Sequence, residues 1–110
     1  MKTLWGANAW IFIHTIAYNY PKTPTEEDKN YYKIFFTNLK NILPCNECKI
    51  HYSKLITKFP IDNYLSSQKD LFKYTYLLHK NINKRLKKPN ETFKNVFNFY
   101  KNSDKLCKKC

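Results

Sequence analysis

The chain has 110 residues, 43% of them hydrophobic and 17% aromatic, which is enough for one domain with an apolar core. A single glycine, Gly6, against five prolines excludes the turn-rich all-β classes and favours helices joined by short loops. The formal charge of +12 is carried almost wholly by lysine, with Arg85 the only arginine, so it points to acidic partners in general and makes nucleic acid, whose phosphates and bases favour bidentate arginine, an unlikely target.

Residues 4–20 (LWGANAWIFIHTIAYNY) read as a helix with a strong aromatic side, ended by Pro21 and Pro24. Thr25, with Asp28 three residues on, forms a capping-box pattern for a helix over 26–43. Its Tyr32, Phe35, Phe36, Leu39, Ile42 and Leu43 recur at three-to-four spacing. Pro44 stops it. Asn46 is expected to cap a third helix, with Ile50, Leu55 and Ile56 facing inward and Pro60 beyond its end. After a loop at 61–68, the run 69–87 carries Leu71, Tyr74, Leu78, Ile82 and Leu86 at helical spacing, and Pro89 closes it. Asn90 is expected to cap a last, shorter helix with Phe93, Val96, Phe97 and Tyr100 inside. The expected fold class is all-α, a four-helix bundle plus a short fifth helix. Residues 1–101 form the domain, and the polar, lysine-rich residues 102–110 read as a flexible tail.

No stretch reaches the roughly 18–20 apolar residues of a membrane span. The apolar run at 9–18 carries Trp10 and His14, and no small-residue cleavage site follows it. The expectation is a soluble, intracellular protein with no membrane partner. In a reducing compartment, Cys-x-x-Cys pairs are more often catalytic or metal-binding than structural.

All four cysteines fall into two such pairs, Cys45-Asn46-Glu47-Cys48 and Cys107-Lys108-Lys109-Cys110. The first lies at a predicted helix start, where unsatisfied N–H groups and the positive dipole end stabilise a thiolate. That suits a pair cycling between dithiol and disulfide, Cys45 outermost and Cys48 a turn deeper. The competing chemistry is zinc, whose ribbon sites place the second pair roughly 15–20 residues away; here 58 residues separate Cys48 from Cys107. A zinc-binding module and a basic nucleic-acid-binding helical module are the alternatives to a redox enzyme.

Gly6, Trp10 and His14 follow one another at i, i+4 and share a helix face. His79 and Asn83 repeat the spacing, followed by Arg85, Lys87 and Lys88. A close-approach glycine, flat rings, an amide and a cationic end suit a nucleotide with its pyrophosphate.

Together these blocks resemble the flavin-dependent sulfhydryl oxidases of the Erv/ALR family over roughly residues 4–100. They are Trp5-Gly6…Trp10…His14-Thr15, Tyr20-Pro21…Pro24-Thr25, Pro44-Cys45-x-x-Cys48-x-x-His51-Tyr52, and His79-x-x-Ile82-Asn83-x-x-Leu86-x-Lys88-Pro89. The resemblance implies FAD held at one end of the bundle, with its ring system beside the Cys45/Cys48 pair. Gly6, Trp10, His14, His51, Tyr52, His79, Asn83 and Lys88 occupy matching FAD-contact positions, and Tyr100 stands where many relatives have a tryptophan. It implies a thiol oxidase that passes electrons from dithiol protein substrates, such as a thioredoxin-like carrier, through Cys45 and Cys48 to FAD and then to molecular oxygen, giving hydrogen peroxide. Cys107 and Cys110 match the family's shuttle pair. Family members are homodimers through their first two helices, and the short, lysine- and asparagine-rich chain resembles the minimal viral members, whose setting is the host cytoplasm or the virion. Three features depart from the pattern: Lys80 replaces an asparagine, Lys87 replaces a glycine, and Tyr76 and Phe93 stand where many cellular relatives carry a structural disulfide.

Overall fold

A computed structural model describes residues 2–103, with side chains from Leu4 to Ser103. The described residues form five α-helices: α1 (Lys2–Tyr18), α2 (Glu26–Ile42), α3 (Asn46–Lys58), α4 (Gln68–Arg85) and α5 (Phe93–Ser103). A 3₁₀ turn at Ile61–Tyr64 lies within the stretch expected as loop. Helix α5 takes in Asn102 and Ser103, two residues past the expected domain limit.

The helix starts follow from short polar side chains that satisfy orphan N–H groups. Thr25 and Asp28 exchange both bonds of the capping box, at 2.9 and 3.0 Å. Ser67 caps α4 through the Asp70 N–H. At α5 the cap is Thr92, which accepts from Asn95 N at 3.2 Å, two residues later than the expected Asn90. At α3 the expected Asn46 is already helical, and the cap is Cys45 itself.

Helix α1 packs chiefly on α4, and α2 on α3, while α5 lies against both α4 and α1. Phe72 of α4, fully buried, is the hub. Its ring meets Tyr18, Phe93, Phe97 and Tyr100 edge-on at 5.5 to 6.1 Å between centroids, a geometry favoured by the ring quadrupoles. Four tyrosines spend their hydroxyls on backbone carbonyls of other elements: Tyr20 on Leu65, Tyr52 on Phe36, Tyr74 on Phe59 and Tyr76 on Glu91. Tyr76 also meets Phe93 edge-on at 5.5 Å, so an aromatic contact ties α4 to α5 at the two positions where the resemblance implied a disulfide in many cellular members.

Three residues expected inside are exposed: Ile42 at 66%, Ile50 at 55% and Leu86 at 46%. Ile42 and Leu86 sit at helix ends, and Ile50 in the first turns of α3, where helical periodicity continues but no further element arrives to cover it.

Candidate active site

Cys45 has an extended backbone (φ −160°, ψ 119°), and its Sγ accepts the Cys48 N–H at 3.3 Å. The sulfur thus does the work of a capping oxygen at the positive end of α3, which favours its thiolate form. Both cysteines are half-buried. Glu47, between them, accepts from Arg85 of α4 at 2.8 Å and lies 3.7 Å from His51 Nε2. Arg85 therefore ties the end of α4 to the dithiol turn instead of extending the cationic end of the nucleotide-like face.

The second part of the site is a ring cluster between α1, α4 and α5. Trp10 and His79 stack at 4.2 Å with 7° between planes. His14, 2% exposed, bonds Thr75 Oγ1 through Nδ1 at 2.9 Å and His79 Nδ1 through Nε2 at 3.1 Å. The Tyr100 ring lies 5.5 Å from His14. Burial, reinforced by His79, holds His14 down at about 3. Burial and then the Lys88 charge hold His79 at about 4. Both imidazoles are neutral at neutral pH.

A cavity of about 430 Å³ opens beside this cluster, lined by His14, His79, Asn83 and Tyr100 together with Tyr76, Lys80, Pro89, Asn90, Glu91, Asn95, Val96 and Phe99. That is within the usual range of about 300–1,000 Å³ for small-molecule sites. Its α4–α5 wall is shaped by the end of α4. Lys87 N–H bonds Lys84 O and Lys88 N–H bonds Asn83 O, at 3.2 and 2.8 Å, with Lys87 left-handed at φ 57°. This is a Schellman ending with lysine where glycine is favoured.

Two features of α1 suit a ligand that the protein does not itself replace. A Cβ on Gly6 would meet nothing within 4 Å, so no packing demand explains a glycine that costs a helix roughly 1 kcal/mol against alanine. Trp5 Nε1 is buried with no hydrogen-bond acceptor among the described residues.

Of the residues singled out in the sequence, His14, His79, Asn83 and Tyr100 line one cavity, Trp10 stacks on its wall, and Lys88 is felt there as charge. His51 stands at the dithiol turn. Tyr52 is buried, with its hydroxyl bonded to Phe36 O, and does not line the cavity. Cys107 and Cys110 lie outside the described residues. The sequence reading missed Thr75, which sits four residues before His79 on the same face of α4; that spacing was the available signal. Among the described residues no group of three or more His, Cys, Asp or Glu could hold a metal ion, and no helix is long and apolar enough to cross a membrane.

Comparison with known proteins agrees with this geometry. The model of the Erv1/Alr family matches residues 7–103. A probable FAD-linked sulfhydryl oxidase of Acanthamoeba polyphaga mimivirus is 42% identical over 80 residues, covering 72% of this chain and 56% of its own. An FAD-linked sulfhydryl oxidase of African swine fever virus (isolate Tick/Malawi/Lil 20-1/1983) is 30% identical, covering 90% of this chain and 82% of its own. Among solved structures, the FAD binding domain of Erv1 from Saccharomyces cerevisiae superposes with a TM-score of 0.79 at 28% identity, covering 90% of this chain and 89% of that one. The chain spans little more than half the length of the mimivirus relative.

Proposed function

The chain belongs to the Erv1/Alr family, and on that footing we propose that it is an FAD-linked thiol oxidase, closing disulfides in dithiol protein substrates at Cys45 and Cys48. The observation that carries this reading is the 2.8 Å bond from Arg85 to Glu47. It joins the helix bearing His79 and Asn83 to the turn bearing both cysteines, which supports reading the cavity and the dithiol as one site.

The residues fit FAD. Trp10, His14 and His79 would hold its flat parts, Asn83 and Tyr100 its polar edges, and Lys88 its pyrophosphate. The open backbone at Gly6 and the unmet Trp5 donor support a bound group along α1. The chemistry FAD would supply is acceptance of an electron pair from the dithiol and its delivery to oxygen as hydrogen peroxide. The protein's part is thiol–disulfide exchange. A substrate thiolate attacks Cys45 Sγ of the Cys45–Cys48 disulfide, releasing the Cys48 thiolate. The second substrate thiolate attacks the mixed disulfide, releasing Cys45 and an oxidised substrate. The α3 N-terminus stabilises the departing thiolates.

The domain, expected to end at 101, is proposed to run on through Ser103, the end of α5, with Cys107 and Cys110 as a shuttle pair that passes electrons to Cys45. The partner is proposed to be an acidic dithiol protein, a thioredoxin-like carrier for example. Glu47, the acid at the dithiol turn, is already paired with Arg85, whereas Lys49, Lys84 and Lys87 flank that turn and its tether. A homodimer is supported by the exposed apolar face Leu4, Ile11 and Phe12 on α1 and by Tyr31 and Ile34 on α2. The viral relatives support a viral protein acting in the host cytoplasm.

The test is direct. The purified full chain should be yellow with bound flavin and should release peroxide when given a dithiol. Cys48→Ala should stay yellow and release none. A colourless protein that takes up no FAD overturns the proposal. Cys107→Ser with Cys110→Ser should lose protein-substrate oxidation while keeping activity on a small dithiol; unchanged activity on both sinks the shuttle.

A further inference from the structure

We propose that Thr75 is a positioning residue that sets the direction of a buried proton chain and so makes His79 Nε2 a hydrogen-bond acceptor towards the cavity. The inference rests on the reading of that cavity as the FAD site, but its first test does not.

The chain runs Phe72 O, Thr75 Oγ1, His14 Nδ1, His14 Nε2, His79 Nδ1, with steps of 2.8, 2.9 and 3.1 Å. Thr75 is fully buried and His14 nearly so. Each neutral imidazole has one N–H, and the hydroxyl has one O–H. Two arrangements follow. If Thr75 donates to Phe72 O, its oxygen accepts from His14 Nδ1–H. His14 Nε2 is then a lone pair that accepts from His79 Nδ1–H, and all three contacts are hydrogen bonds. If Thr75 donates instead to His14 Nδ1, every ring proton moves to the other nitrogen, and the contact to Phe72 O is lost. Buried polar groups settle where the most bonds are made, so the first arrangement holds.

Its consequence lies at the far end. His79 lines the cavity, and its Nε2 makes no hydrogen bond among the described residues. With Nδ1 protonated, Nε2 carries a lone pair. One face of the ring is covered by Trp10, stacked at 4.2 Å, which leaves the other face and the polar edge to a ligand. That edge accepts an N–H or O–H of the cofactor and repels a group that offers only acceptors. The surrounding wall mixes the Lys80 ammonium, the amides of Asn83, Asn90 and Asn95, and the Glu91 carboxylate. Threonine at 75 therefore selects ligand chemistry from a position that touches no ligand.

The experiment is ¹⁵N NMR of the histidine rings in the full chain as purified, alongside FAD affinity. In the wild type both His14 and His79 should be protonated at Nδ1, whether or not flavin is bound. Thr75→Val removes the acceptor for His14 Nδ1–H, so both rings should switch to protonation at Nε2. FAD affinity should fall about tenfold, the order expected when a buried bond is replaced by a mismatch. Thr75→Ser keeps the hydroxyl and should keep the wild-type ring pattern, with affinity within about twofold. A wild-type His79 protonated at Nε2 overturns the proposal, and so does a Thr75→Val protein with unchanged rings. The wild-type spectrum decides the direction even if the valine variant does not fold. A protein that shows the expected rings but takes up no FAD leaves this assignment standing and fails the oxidase reading instead.

Discussion

Acidification from pH 6.5 to 5 should destabilise this protein through a buried histidine. His14 is held neutral in the fold, at about 3 against 6.5 when free. Its folded value lies below its unfolded one, so the unfolded chain takes up the proton first. The stability it contributes is complete above pH 6.5 and is lost as the pH falls towards 3. At pH 5 the chain is about 1.5 units into that window. At roughly 1.4 kcal/mol per unit, His14 alone costs about 2 kcal/mol. His79 pushes the same way but is only half-buried, and water screens its share. The groups facing His14 reinforce the trend: His79 from α4 opposes a proton, and Tyr100 from α5 offers a ring in place of a carboxylate. Asp62 is held below its usual value chiefly by its hydrogen bond from Lys33. Urea unfolding followed by the fluorescence of Trp5 and Trp10 reads the effect. With a slope of about 1.5 kcal/mol/M, the midpoint should drop by roughly 1 M between pH 7 and 5. A His14→Asn variant should show a much flatter pH dependence, whatever its absolute stability. A midpoint unmoved in the wild type, or an equally steep one in the variant, refutes the burial argument.

Lys87→Gly should stabilise the fold by about 1 kcal/mol, because glycine adopts the left-handed ending of α4 without the Cβ penalty; a lower melting temperature would contradict the Schellman assignment. Tyr52→Phe should cost about 1 kcal/mol through loss of the buried bond to Phe36 O, and a neutral result in urea unfolding would mean that this hydroxyl finds water. For an acidic dithiol protein, kcat/KM should fall several-fold as salt rises from about 50 to 200 mM, with no change for a small neutral dithiol; equal salt responses would remove the electrostatic partner reading.

The sequence made the helices legible because their punctuation is chemical. Prolines 21, 44 and 60 break the chain where helices end, and Thr25-x-x-Asp28 writes its capping box openly. The Trp10–His14 and His79–Asn83 spacings likewise brought one wall of the cavity into view. What periodicity could not convey was where helix faces go uncovered. Ile42, Ile50 and Leu86 keep the helical repeat yet stand in solvent, because the repeat records a face and not the neighbour that covers it. Nor could it foresee that sulfur would cap α3. Asn46 is the better cap by residue type, but it is Cys45 that is extended, with its sulfur accepting the Cys48 N–H, so the helix begins one residue after the cysteine. Arg85 was misassigned for a related reason. A cation at a helix end serves a phosphate or a carboxylate equally well, and only the fold brings Glu47 within 2.8 Å.

Helix α4 carries side chains to both the cavity and the dithiol turn. It supplies Phe72 to the core, Thr75 and His79 to the proton chain, Tyr76 to the α5 contact, Asn83 to the cavity and Arg85 to the dithiol turn. These side chains occupy three faces of one rigid rod, so their relative placement is fixed by helical geometry and not by loops. The Arg85–Glu47 pair, with both side chains well exposed, adds little stability by itself. Its value is registration, since it sets the end of that rod against the start of α3. A shift of α4 by one turn, about 5.4 Å, would separate the dithiol from the cavity while leaving each intact. The bond from Tyr76 to Glu91 O and its edge contact with Phe93 oppose that shift from the α5 side. With Tyr76 and Phe93 at these positions, an edge-on aromatic pair ties α4 to α5, and Arg85 ties the end of α4 to the start of α3.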